Sequence, residues 1–225
     1  MDIKLNGENL DRKNQIKYLG VIIEENLKWD AQLDYLFTII SRNIGVMSRA
    51  KYSLSCRELK CLYNSLVLPY FNYCAAVWGN NYVTKLDKLF KLQKRAVRII
   101  AQKPFLHPTN CLFIELRLLK LHDLIKEQNI VILSQALKQE IPSVISSLFE
   151  LHAPRNTRLV QHFNVPFAAT IYRKFALSIQ GPRTWNQIIC PLFNNLNDVP
   201  LEKSTLKNTI RNFFWNLYLS EEVNE

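Results

Sequence analysis

The chain has 225 residues and a formal net charge of +10, with 48% hydrophobic and 21% charged residues. This composition is typical of a folded protein and excludes an intrinsically disordered chain. Only five glycines occur and none lies between Gly79 and Gly181, which argues against a turn-rich all-β fold and against a glycine-rich phosphate loop in that stretch. The excess of 29 Lys and Arg over 19 Asp and Glu favours a polyanionic partner, either nucleic acid or an anionic membrane surface.

The cysteines indicate the compartment. Their number is odd and no CxxC pair occurs, so we expect free, mostly buried thiols in a reducing environment. They are Cys56, Cys61, Cys74, Cys111 and Cys190. The N-terminal segment has no basic start followed by an apolar run, so no secretory signal is expected there. The prediction is an intracellular protein, in the nucleus or the cytoplasm.

Residues 1–29 are predicted to form a short β-hairpin. The apolar–polar alternation Ile3–Leu5 and the run Gln15–Glu24, which is rich in β-formers, flank the turn-like sequence Asn6–Asn9. Gly20 lies in the middle of the second run. It marks either a bulge or a place where another group packs closely against the backbone.

Helical periodicity begins after this hairpin and continues through residues 30–105. Apolar residues at three- and four-residue steps predict a helix over 31–50, with Asp30 as its N-cap. A second helix is predicted after the capping residue Ser55, interrupted at Pro69 and ending at Gly79. Residues 61–84 carry no charge and are long enough to span a bilayer, but Asn and Ser residues and Pro69 interrupt them. A kinked core helix is therefore favoured, and no membrane association is expected.

The third helix, Val83–Gln102, carries the main functional pattern. Its apolar residues lie on one side of a 3.6-residue wheel and a row of cations on the other, against the single acid Asp87. Cations three or four residues apart can follow a phosphate backbone over several turns. A solvated helix face is the alternative, but such faces usually mix both signs. The predicted nucleic-acid-binding residues are Lys85, Lys88, Lys91, Lys94, Arg95 and Arg98.

Residues 106–225 are predicted to form a smaller α+β region. Helices are expected at Leu112–Leu116, Leu121–Lys138, Pro142–Phe149 and Thr205–Leu219, and strand-like runs at Leu159–Val165 and Lys174–Ile179. Gly181 and Pro182 are predicted to form a turn entering a short helix. Trp29, Trp78, Trp185 and Trp215 lie beside apolar positions and are expected to pack in the core rather than stack on bases. The fold class predicted for the whole chain is mainly α.

Signatures of catalysis are scarce. The sequence has no GxSxG, no HExxH, no Walker-type loop and no adjacent Asp pair that could hold two metal ions. Asp30 and Asp34 share a helix face and are explained as a cap and a surface acid. The scattered residues His107, His122, His152 and His162 are expected to be structural. No catalytic residue, metal ligand or cofactor is assigned to this chain.

Four blocks, in order along the chain, resemble one protein family. They are Lys17–Ile23 with Leu27–Trp29; Leu62–Leu66 with Pro69, Tyr73 and Trp78–Gly79; Leu92–Ile100; and Gly181–Asn186. Together they resemble the region downstream of the polymerase palm in reverse transcriptases of non-LTR (LINE-like, jockey-type) retrotransposons.

The resemblance implies a site and a partner. Lys17, Tyr18, Leu19 and Gly20 would belong to a palm–thumb junction near the primer, and residues 30–105 would form a helical, thumb-like domain on the template–primer duplex. RNA, DNA or an RNA–DNA hybrid would be the nucleic-acid partner, and the missing polymerase domains a possible protein partner. The family's palm carboxylates, which hold Mg²⁺, have no counterpart here, so we expect no polymerisation by this chain alone.

These patterns lead to one expected function and one alternative. The expected function is that of a C-terminal fragment of a retrotransposon RNA-directed DNA polymerase, whose own capacity is sequence-independent nucleic-acid binding. The alternative is a non-catalytic protein-interaction or structural module derived from a mobile element, in which the cations serve solubility.

Overall fold

The computed structural model describes residues 4–5, 8–9, 12–151, 162–193, 195–200 and 202–223, and most of them are helical. The N-terminal strands are β1 (Lys4–Leu5), β2 (Glu8–Asn9), β3 (Gln15–Tyr18) and β4 (Val21–Glu24). The helices are α1 (Asp30–Ala50), α2 (Cys56–Leu66), α3 (Leu68–Asn72), α4 (Ala75–Trp78), α5 (Val83–Ile100), α6 (Asn110–Glu115), α7 (Leu121–Leu137), α8 (Ser143–Ser146), α9 (Ile171–Lys174), α10 (Leu177–Ile188) and α11 (Lys203–Val223). The mainly α fold class is confirmed.

The strand pairing at the N-terminus differs from the predicted one. β1 pairs with β2, and the run Gln15–Glu24 is not one strand but a hairpin of its own, in which β3 pairs with β4. Leu19 and Gly20 form its two-residue turn, with φ angles of 45° and 84°. A turn of this kind needs positive φ, so Gly20 serves the turn and not a mid-strand bulge. The expected close approach is present, because the ring of Tyr73 lies against Gly20.

The start of α1 is capped by the hairpin and not by Asp30. Trp29 is the N-cap, with a left-handed backbone and no side-chain capping bond, and Asp30 is already helical. The Glu24 carboxylate accepts a hydrogen bond from the Ala31 N–H at 3.2 Å, and the Gln32 Oε1 accepts one from the Ile22 N–H at 2.8 Å. The β3–β4 hairpin is therefore fastened to the first turn of α1.

The second predicted helix forms as three segments, α2, α3 and α4. Ser55 caps α2 as expected, and Glu58 completes a capping box with it. Pro69 lies in the first turn of α3, where its missing N–H leaves no partner unsatisfied. Gly79 ends α4, as the sequence indicated.

Helices α1 and α5 run side by side in the same direction. Near their N-termini the Lys85 ammonium lies 2.5 Å from Asp30 Oδ1, and near their C-termini the Gln102 amide donates to the Leu54 carbonyl at 3.2 Å. Their facing apolar side chains join one core that continues to α11. The residues that α1 and α5 bury there include Leu36, Ile40, Ile44, Leu89, Ala96 and Ile100.

Two predictions for the C-terminal region are wrong. Residues 174–179 form no strand but the end of α9 and the start of α10, and Gly181 and Pro182 lie inside α10 instead of in a turn before it. Gly181 is placed there because α10 packs closely on α7: a Cβ at this position would lie 2.6 Å from Leu133 Cδ1. The run 159–165 lies partly outside the described residues, and Phe163 makes an isolated bridge with Leu151.

Aromatic and cysteine side chains follow different patterns. Trp78 and Trp185 are fully buried, and Trp29 and Trp215 are partly buried against the same core, which confirms their core role.

All five cysteines are free, but the expectation that most are buried is wrong. Only Cys190 is buried, whereas Cys74 and Cys111 are half-buried and Cys56 and Cys61 are exposed on α2. Within the described part of the chain, no helix is long and apolar enough to cross a membrane.

A polar network joins α7 to α11. The Tyr218 hydroxyl donates to Asp123 and accepts from the Lys120 N–H at 3.1 Å. The buried carboxylate of Glu127 receives the Arg211 Nε at 2.7 Å. Burial, together with the charge of Asp123, raises the pKa of Tyr218 above its ordinary value, so this hydroxyl stays a donor.

Alanine substitutions at two glycines, Gly79 and Gly45, test the packing of this core. A Cβ at Gly79 would lie 2.4 Å from the Ala75 carbonyl oxygen and 2.8 Å from Ile125 Cγ1, whereas nothing lies within 4 Å of one at Gly45. We expect Gly79→Ala to lower the free energy of unfolding by about 1–3 kcal/mol through overpacking. Gly45→Ala should raise it by about 0.5–1 kcal/mol, because alanine favours the helix. Urea denaturation of both variants measures this, and equal effects would contradict the described packing.

His122 makes the stability depend on pH. Its half-buried ring packs edge-on against Phe90, with the ring centroids 5.2 Å apart, and burial lowers its pKa although neighbouring Asp123 opposes the shift. Because the pKa of His122 is lower in the folded state, its neutral ring contributes fully to stability above the unfolded-state pKa near 6.5. This contribution is lost as the pH falls through the folded-state pKa.

We therefore expect the free energy of unfolding to fall as the pH is lowered from about 7.5 to about 5, and to fall less steeply in His122→Leu. Denaturant titrations at several pH values measure the slope. An NMR titration of the His122 ring gives its pKa directly, and a midpoint above 6.5 would contradict the described burial.

Candidate nucleic-acid interface

The rotation of α5 about its axis is fixed by Gln93. This side chain is fully buried, and its amide donates to the Tyr63 hydroxyl at 3.0 Å and to the Leu119 carbonyl at 2.9 Å. Its Oε1 accepts the Leu121 N–H at 2.7 Å. Each of these bonds would leave a buried polar group unsatisfied if α5 turned, at a cost of about 1–3 kcal/mol per group. The cations opposite Gln93 on the wheel are therefore held toward solvent.

The first two cations of the row face carboxylates of α1. Lys85 lies 2.5 Å from Asp30 and also donates to the Lys28 carbonyl at 3.2 Å. Lys88 lies 3.9 Å from Asp34, and both side chains are more than 70% exposed. An exposed pair at this distance is weak, so Lys88 remains available to a stronger anion. Lys85 is half-buried and is already bonded to Asp30 and to the Lys28 carbonyl.

Two further cations lie over aromatic rings. The Lys94 ammonium lies 4.5 Å from the centroid of the Phe90 ring. The Arg98 guanidinium lies 5.8 Å from that of Phe105, and its Nε donates to the His107 carbonyl at 2.7 Å. Arg98 thus holds the turn 104–107 against the end of α5.

Lys91 and Arg95 are exposed and, within the described residues, neither has a hydrogen-bond or ion-pair partner. They are four residues apart and therefore neighbours on the outer face of α5. Within the described residues no ion pair neutralises them, so they are the cations of the row that are most accessible to an external anion.

A groove of about 760 Å³ lies between α1, α5 and the turn 104–107. Its charged lining consists of Asp34 on α1 and five of the six cations of the row, Lys88, Lys91, Lys94, Arg95 and Arg98. Its apolar surface comes from Phe37 on α1, Leu92 on α5, and Phe105 and Leu106 in the turn. Phe105 is 73% exposed and Leu106 is 86% exposed. Sequence reasoning assigned no binding role to these apolar residues. The only available signal was an aromatic residue directly after Pro104, at the point where the basic helix ends.

The second predicted group, Lys17 to Gly20, lies on the β3–β4 hairpin and does not line this groove. The Lys17 ammonium lies 4.8 Å from the centroid of the Tyr35 ring, and the Tyr73 hydroxyl donates to the Leu19 carbonyl at 2.5 Å. Tyr18 is mostly exposed. The structure therefore places the hairpin residues beside the first turns of α1 and beside Tyr73, separate from Lys91 and Arg95.

Comparison with known proteins supports one family. The RNA-directed DNA polymerase from mobile element jockey of Drosophila funebris is 27% identical over 128 residues, or 56% of this chain, and that of Drosophila melanogaster is 28% identical over 133 residues, or 57%. The probable RNA-directed DNA polymerase from transposon BS of Drosophila melanogaster is 26% identical over 107 residues, or 46%. No family model and no solved structure matches the chain.

The matched stretch covers only 12–14% of the length of these relatives. These relatives nevertheless belong to the same family that the four sequence blocks indicated. The chain contains a region related to the reverse transcriptases of jockey-like non-LTR retrotransposons.

Proposed function

We propose that this chain is a nucleic-acid-binding, thumb-like region of a retrotransposon reverse transcriptase. In this proposal the outer face of α5 lies along a phosphate backbone and does not read sequence. The observation that carries it is the unpaired state of Lys91 and Arg95 between Lys88 and Arg98 on one continuous face.

The local charge supports a polyanion as the partner. Lysine and arginine reach phosphate oxygens as point charges or as a planar fork, and each contact releases condensed counterions. Carboxylates of α1 oppose only the N-terminal part of the row, at Lys85 and Lys88. Within the described residues the remaining four cations make no ion pair, although Asp34 also lines the groove, so the C-terminal half of α5 carries most of the proposed contact.

The arrangement of the cations also suits binding that does not depend on base sequence. They project from one rigid helix that is packed along its length against α1, and they extend over about three turns between Lys88 and Arg98. Reading base edges would require side chains to enter a groove of the nucleic acid, whereas contact with phosphates requires only charge at a suitable spacing. The relatives are named RNA-directed DNA polymerases, a name that implies action on nucleic acid. This agrees with nucleic acid as the proposed class of partner.

The salt dependence of binding tests this proposal. Replacing Lys91 and Arg95 together by alanine should weaken binding to mixed-sequence nucleic acid and reduce the slope of log K against log salt concentration. The reduction should be about 1.8 for duplex DNA and about 1.4 for single strands, because each lost phosphate contact contributes about 0.9 or 0.7. Fluorescence anisotropy with labelled oligonucleotides at several salt concentrations measures both quantities.

The matched control replaces Arg57 on α2 and Lys203 on α11, which are exposed cations on other helices. It removes the same charge, so an equal loss of slope there would show non-specific attraction and contradict a site on α5. Undetectable binding by the unmodified protein at low salt would also reject the proposal and would favour the alternative of a protein-interaction module.

A further inference from the structure

We propose that the groove beside α5 takes single-stranded nucleic acid, with an unstacked base against Phe105, in preference to duplex. This inference rests on the proposed function, because it assigns the ligand of the same site. It differs from the duplex that the thumb resemblance implies, and it follows from the apolar wall of the groove.

The composition of the groove is the first reason. Phe105 and Leu106 are largely exposed, Phe37 is 39% exposed, and all three line the groove with Lys88, Lys91 and Arg95. A phosphate backbone alone would use the cations and leave this apolar surface in water. A single strand offers both parts together, since its backbone is anionic and every base has a π face that can stack on an aromatic ring.

The fixed position of Phe105 is the second reason. The turn that carries it is closed by a hydrogen bond from the His107 N–H to the Pro104 carbonyl at 3.1 Å. Arg98 lies over its ring and donates to the His107 carbonyl at 2.7 Å. An exposed ring held in this way loses little conformational freedom on binding, so its contact area contributes more to affinity. Arg98 acts here as a positioning residue for Phe105.

Duplex fits this surface less well. In a duplex the base faces are stacked on each other inside the helix, so Phe105 and Phe37 could stack on a base only after unstacking a base pair, at a cost of a few kcal/mol. A strand that is already unpaired has no such cost. The groove volume of about 760 Å³ also lies within the range of sites that accept small ligands, so a base has room to enter it.

The experiment compares three probes of equal length, about 16 nucleotides. These are a mixed-sequence single strand, its duplex, and a single strand in which the central nucleotides are abasic. We expect the unmodified protein to bind the single strand more tightly than either other probe at the same salt concentration. Phe105→Ala should weaken single-strand binding by about 5- to 150-fold, the range for loss of one base–aromatic stack, and leave duplex and abasic binding unchanged.

Two further variants distinguish the causes. Phe167→Ala removes a phenylalanine outside the groove that is even more exposed than Phe105, and it should not change binding to any of the three probes. Arg98→Lys keeps the charge but loses the guanidinium fork, so it should weaken single-strand binding while leaving the salt slope unchanged. The mostly exposed position of Phe105 means that its truncation spares the core.

The outcomes separate this inference from the proposed function. If Lys91→Ala/Arg95→Ala weakens binding but Phe105→Ala does not, the phosphate contact stands and the single-strand inference is overturned. Tighter binding to duplex than to the single strand would overturn it as well. If no probe binds the unmodified protein, both proposals fail together.

Discussion

Gln93 is a polar side chain in the middle of an apolar helix face, and its three hydrogen bonds join α5 to α2 and to the start of α7. Burial raises the pKa of Tyr63, one of its partners, well above the ordinary value, so this hydroxyl stays protonated. The bonds are directional, unlike the surrounding aliphatic contacts, and so they define one rotation of α5 where apolar packing alone would tolerate small errors. The outward direction of the cation row, and hence the groove, depends on this constraint.

The helices could be predicted from the sequence because their apolar periodicity agrees with local capping signals. Ser55 and Gly79 are examples, since each acts on backbone groups within one turn of itself. The predictions failed where tertiary contacts decided the outcome. Gly181 and Pro182 are ordinary turn residues in sequence, yet they lie inside α10, where Gly181 packs closely against Leu133 of α7. Trp29 caps α1 because the β3–β4 hairpin supplies the missing acceptor from Glu24.

The candidate site shows the same division. The row of cations is a property of one helix and was visible in the sequence, but the state of each cation was not. Lys85 and Lys88 face Asp30 and Asp34 across more than 50 residues of sequence, and only the parallel packing of α1 on α5 brings them together. Phe37 and Phe105 likewise reach the groove from different segments. Spacing along one helix carries no information about either contact.

The carboxylates of α1 also make the two ends of α5 unequal. Near its N-terminus the positive potential is compensated by Asp30 and Asp34, whereas near its C-terminus it is not. In the proposed binding mode, a long-range field of this shape would attract an approaching polyanion to one end first, and the nearby ring of Phe105 would then retain it. In this mode, the bound polymer would acquire a preferred starting point and an orientation along the helix.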